Sequence, residues 1–197
     1  RQRQMCIRDR DCCKLKTVNA PNITVVCNNA FCHCEMLTAF DFSQIKELGS
    51  ASFAGTGIRK AVLSNKLTNL QPSIFCSCKN LQSVDMSACD NVKTISTRCF
   101  KDCNKLTDIK LPLNVRKFAD GCFESVKFNS LVIKAGMRIN CHALSEAVID
   151  ELEFADDADS PARTVVDISA FEGAKVGRLI IPDHMYGRFE KAISQMQ

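Results

Sequence analysis

The chain has 197 residues, 46% of them hydrophobic and 24% charged, with 13 cysteines, 12 phenylalanines, one tyrosine and no tryptophan. No apolar run reaches the roughly 18 residues of a helical membrane span. The formal charge of +4 falls to +1 over residues 11–197, where 22 basic side chains face 21 acidic ones, so the sequence displays no clustered positive footprint for nucleic acid.

The opening segment, Arg1 to Arg10, holds four arginines and one aspartate and has no apolar periodicity. Read back through the genetic code, it fits the in-frame translation of a transposase sequencing adapter. Such scars are set aside before fold reasoning. The expectation is that residues 1–10 are not native and that the natural sequence starts inside a structural unit.

From residue 11 onward one pattern recurs. Phe31, Phe53, Phe75, Phe100 and Phe123 are spaced 22, 22, 25 and 23 apart; Leu144 and Phe171 continue the series after 21 and 27. Five residues before each lies an apolar side chain: Val26, Leu48, Leu70, Ile95, Phe118, Ile139 and Val166. After each comes apolar-x-x-apolar-x-apolar, as in Leu81/Val84/Met86 and Leu106/Ile109/Leu111. Leu15/Val18/Ala20 fits the same frame, in agreement with a start inside a repeat. Where a Cys follows the Phe by three, the next apolar residue comes at six (Phe75/Cys78/Leu81); where it is missing, at five (Phe123/Phe128).

Fixed periods of this length mark stacked repeats, each unable to bury its apolar face alone. The period-two pairs, such as Ile109 and Leu111, predict one half-buried strand per repeat. Stacked in parallel about 4.8 Å apart, eight strands give a sheet on the order of 35 Å long. After Pro182, Met185, Phe189 and Ile193 recur at helical spacing. They predict a short amphipathic helix with Asp183 as its N-cap, covering the open end of the stack.

These residues resemble the BspA-type leucine-rich repeat, with its strand ending in Pro, second short strand, turn ending in Phe, and Cys-x-x-Leu. The likeness covers residues 11–182, departing at Leu144 in the Phe slot and at a longer connection over 155–165. It implies a leucine-rich-repeat solenoid, a β-rich α/β solenoid of about eight stacked repeats of 21–27 residues, with residues 183–197 as a C-terminal cap. It also implies a protein-binding scaffold displayed on a cell surface or secreted, an adhesion module in function. The alternative is an intracellular interaction scaffold.

Cys12, Cys34, Cys78 and Cys103 share one repeat position and read as buried thiols, each a small hydrophobe with a weak donor. A disulfide between neighbours such as Cys78 and Cys103 is open on Cα spacing, but parallel side chains disfavour it. Cys32-His33-Cys34 and Cys76-Ser77-Cys78 miss the usual zinc spacing, so no metal or cofactor is expected. His33, His142 and His184 read as exposed bystanders. With no phosphate loop, nucleophile elbow or HExxH helix, no enzyme is expected. Asn22-Ile23-Thr24 is a glycosylation sequon. The acidic run Glu151, Glu153, Asp156, Asp157, Asp159 reads as a solvated face and an inserted loop.

The outward residues of the main strands are the expected contact surface for a protein ligand. Its charged members are Asp41, Lys60, Asp85, Asp108, Lys110, Glu151, Glu153 and Arg178, and Val62, Val132 and Ile180 are its apolar ones.

Overall fold

The computed structural model describes residues 14–155 and 163–197. The adapter-like segment 1–10, Cys12 and the aspartates 156, 157 and 159 lie outside them. In chain order the elements are β1 (Val25–Val26), β2 (Glu47–Leu48), β3 (Lys60–Val62), β4 (Ser83–Asp85), β5 (Thr94–Ile95), β6 (Asp108–Lys110), β7 (Lys117–Phe118), β8 (Lys127–Ile133), β9 (Arg138–Ile139), β10 (Val148–Phe154), β11 (Val165–Val166), β12 (Lys175–Ile180) and α1 (Asp183–Ile193).

Every strand pairing is parallel and joins one repeat to the next. The main strands form two sheets, β3-β4-β6 and β8-β10-β12, on one side of the solenoid. The two-residue strands form β1-β2 and β5-β7-β9-β11 on another. Inward residues land on one another in register: Ala61, Val84 and Ile109 in one sheet, Phe128 with Ile149 and Val176 in the other.

Six of the eight expected main-strand positions are strands. Leu15, Val18 and Ala20 pack half-buried against the core without forming one. At the next position Phe40 and Phe42 take both inward sites that Ala61 and Leu63 hold one repeat later. Their rings crowd Phe53 at 4.8 and 5.1 Å, and no strand is assigned there.

The recurring Phe fills the centre. Phe31, Phe53, Phe75, Phe100, Phe123 and Phe171 are each buried to within 1%. Phe75, Phe100 and Phe123 stack at 5.6 and 5.5 Å with planes within 9°. Around each Phe the chain forms a third ladder. The Phe75 N–H donates to the Cys99 carbonyl at 2.9 Å, that of Phe100 to Cys122 at 2.9 Å, and that of Phe123 to Ala143 at 2.9 Å.

In such a turn every second N–H donates to the next repeat, as those of Ser73, Phe75 and Ser77 do to the carbonyls of Thr97, Cys99 and Lys101. The left-handed sites lie two before and two after the Phe: Ser73 and Ser77, Arg98 and Asp102, Gly121 and Ser125, with φ between 53° and 61°. Left-handed non-glycine residues cost on the order of 1 kcal/mol each. The inter-repeat hydrogen bonds and the buried ring offset that cost.

At the C-terminal end α1 lays Met185, Phe189 and Ala192 on the last repeats. Phe189 stacks on Phe154 at 5.3 Å. Asp183 is not the N-cap: Pro182 occupies that position and no side chain caps the helix. Proline presets the extended φ of the approach, and Asp183 acts as a first-turn negative charge at the positive end of the helix dipole. The tail then continues the turn ladder, with Gly173 N–H donating to the Gln195 carbonyl at 3.1 Å and Gln197 N–H to the Ala174 carbonyl at 2.7 Å.

Candidate binding face

The main strands carry their outward residues in columns. Lys60, Ser83 and Asp108 lie in register, as do Val62, Asp85 and Lys110 one column along. In the second sheet Ser130, Glu151 and Arg178 form one column and Val132, Glu153 and Ile180 the next. Two cross-strand ion pairs result, Lys110 Nζ to Asp85 Oδ2 at 3.2 Å and Arg178 to Glu151 Oε2 at 3.2 Å. Lys60, Asp108, Lys110 and Arg178 are exposed; Asp85, Glu151 and Glu153 are half-covered. Val62 and Val132 present 52% and 39% of their surface, whereas Ile180 is half-buried. Val148, also 39% exposed, joins them on β10 and was not among the residues expected from the pattern.

Asp41 and Asp85 have a second task. Asp85 Oδ1 accepts from Ser87 N–H at 3.0 Å and from Ser87 Oγ at 2.6 Å. Asp41 Oδ1 accepts from Ser43 N–H at 2.9 Å. Both carboxylates tie the turn that follows them, and these hydrogen bonds hold their pKa values below the usual aspartate range. Asp167 does the same with Ser169 after β11. The signal available in the sequence was Asp-x-Ser, a known turn signature.

The cysteine position proves to be a hydrogen-bonding one. Cys34, Cys78 and Cys103 are fully buried. The Cys78 thiol donates to the Phe53 carbonyl at 3.0 Å and that of Cys103 to the Phe75 carbonyl at 3.0 Å, each one repeat back. Thr56, standing where the Phe53 repeat lacks its Cys, donates to the Phe53 carbonyl at 2.9 Å. Burial pushes the Cys78 thiol up to about 11 and the Cys99, Cys103 and Cys122 thiols well above their usual value. They are therefore inert thiols, not nucleophiles.

Cys141 and His142 turn to different partners. Cys141 hydrogen-bonds Asp167, which raises its pKa, and His142 Nδ1 lies 3.2 Å from Glu172 Oε2 at the surface. His33 is exposed, in a left-handed turn position.

The model of the BspA type leucine-rich repeat region matches in six copies, over residues 10–129 and 85–192. A leucine-rich repeat protein from Bacteroides ovatus ATCC 8483, known from a crystal structure, superposes with a TM-score of 0.51 at 15% identity. That match covers 90% of this chain and 53% of the other, so the chain spans about half the length of that structural relative. No curated protein matches. The register of the Phe, Cys and strand positions and the family match coincide over almost the whole described chain: it belongs to the BspA-type leucine-rich repeat family.

Proposed function

We propose that this chain is a non-catalytic protein-binding scaffold, displayed at a cell surface or secreted, whose contact face is the outward side of the main strands. The observation that carries this reading is the two in-register columns on each of the sheets β3-β4-β6 and β8-β10-β12. They present mixed charge and isolated valines on a backbone fixed by the ladders beneath. Preorganised surfaces of this kind gain affinity because little conformational freedom remains to be lost on binding. Lys60, Asp108, Lys110 and Arg178 are its exposed charges, and Asp41, Asp85, Glu151 and Glu153 complete it at lower exposure or with turn duties. The test is capture of extracellular proteins on the immobilised chain, compared with a Lys60→Glu/Asp108→Lys variant. Loss of a captured protein, with an unchanged urea midpoint, supports the assignment; identical capture places the contact face elsewhere.

An intracellular scaffold is the second reading, supported by the buried free thiols Cys78, Cys99, Cys103 and Cys122, which suit a reducing compartment. Antibody labelling of intact cells against permeabilised ones separates the two.

A further inference from the structure

The side of the solenoid built from the short strands carries a different chemistry. Lys93, Arg116, Lys117 and Arg138 fall on three consecutive rungs there. Lys117 is in register with Arg138, and the Arg116 N–H donates to the Lys93 carbonyl at 2.8 Å. Lys93, Arg116 and Arg138 are exposed and Lys117 half so. None of the four forms an ion pair with a described residue, although Asp90 and Asp120 lie close in the chain. Spread over 46 residues of sequence, these cations are invisible as a cluster; stacking brings them to rung spacing, about 4.8 Å.

One rung toward the N-terminus the ladder opens. Among the described residues, no backbone hydrogen bond joins Thr68–Gln71 to the rung on either side. Only the Ser96 hydroxyl reaches across, to the Leu70 carbonyl. Two grooves result. One, of about 200 Å³, has Thr68, Asn69, Asn91 and Ser96 on its walls and Lys93 at its lip. The other, of about 430 Å³, lies beyond it between Asn28, Glu47, Asn69 and Gln71. The row of cations thus runs first into a cleft lined by amides and hydroxyls and then into one that adds the Glu47 carboxylate to its amides.

We infer that this side binds a linear acidic polysaccharide, its sulfate or carboxylate groups on Lys93, Arg116, Lys117 and Arg138 and its hydroxyls in the groove beside Thr68–Gln71. Charge complementarity selects a polyanion, and the polar grooves select a polyanion rich in hydroxyls. A single-stranded nucleic acid calls for aromatic stacking platforms. Tyr186, the one aromatic with a markedly exposed ring among the described residues, sits on α1 instead. A membrane surface calls for apolar side chains all along the row, where the structure places four cations and polar grooves; the exposed Val165 follows at its end, in register with Arg138, and Leu113 is exposed in the turn before Arg116.

The test is binding of the whole chain to heparin, as a sulfated probe, across a salt series. Arg116→Gln/Arg138→Gln is expected to weaken binding by about tenfold or more at physiological salt and to flatten the salt dependence. Lys60→Gln/Lys110→Gln, which removes the same charge from the main-strand face, is expected to leave both unchanged. Asn69→Ala/Asn91→Ala is expected to weaken binding by about fivefold without altering the salt slope. Equal losses in the two charge variants, or no loss in the asparagine variant, overturn the proposal. So does tighter binding of a single-stranded oligonucleotide, or tighter binding of anionic phospholipid vesicles that Leu113→Ser abolishes.

Discussion

The thiol of Cys103 donates to the carbonyl oxygen of Phe75, 3.0 Å away and one repeat earlier, while the Phe75 carbonyl also accepts the Cys78 N–H at 3.2 Å. The cysteine therefore completes a buried polar pairing between repeats, as Cys78 does for Phe53. Cys103→Ala is expected to lower stability by about 1–3 kcal/mol, through lost packing and a weakened pairing at a buried acceptor. Cys103→Ser, which keeps a donor, is expected to cost less. Urea denaturation of the two variants checks the order; equal costs would show that only volume matters at this site.

Phe100 lies between Phe75 and Phe123 in a near-parallel stack. Truncation to Ala removes both contacts and leaves a cavity that the rigid ladders cannot close. Phe100→Ala is expected to cost about 3–5 kcal/mol. An unchanged urea midpoint would show that the stack contributes nothing.

Asp41, Asp85 and Asp167 have pKa values lowered by hydrogen bonds from Ser43, Ser87 and Ser169. A depressed folded-state pKa contributes stability that is complete above the unfolded value of about 3.9 and disappears as pH falls through the folded value. The urea midpoint is therefore expected to hold between about pH 6 and 5 and to drop below about pH 4. Asp85→Asn keeps an acceptor for Ser87 and removes the titration, so its midpoint is expected to fall less over the same range. An identical fall would assign the acid sensitivity to other groups.

Phe189 seals the C-terminal repeats by stacking on Phe154, which itself meets Phe171 edge-on at 6.3 Å. In a stack held by neighbour contacts, damage to a cap frays the nearest repeats first. Phe189→Ala is expected to destabilise the chain by about 3 kcal/mol. Amide hydrogen exchange is expected to accelerate in β10 and β12 before β3 and β4. Uniform acceleration would mean that the repeats unfold as one unit.

Among the described cysteines, the exposed Cys141 offers a contrast with the buried ones. Cys141 is exposed and its pKa is raised chiefly by its hydrogen bond to Asp167. In the native chain at mild alkaline pH, iodoacetamide is expected to label Cys141 while Cys78, Cys99, Cys103 and Cys122 stay unmodified. Asp167→Asn is expected to speed labelling of Cys141. Peptide mass mapping reads both.

The sequence by itself determined the repeat, the inward face of each main strand, the central Phe column and the amphipathic end helix. Each depends on the spacing of apolar residues, and burial of an apolar face is what stacking repeats must achieve. It did not disclose the left-handed turn positions, because Asn29, Ser73, Arg98 and Asp102 carry no glycine mark and adopt positive φ only where the neighbouring repeat accepts their hydrogen bonds. Nor did it disclose that the cysteine is a donor to the repeat before it, or that Lys93, Arg116, Lys117 and Arg138 form one row. Those properties belong to contacts between residues about twenty positions apart, and only the tertiary structure, by setting the register of one rung upon the next, brings such residues within reach of each other.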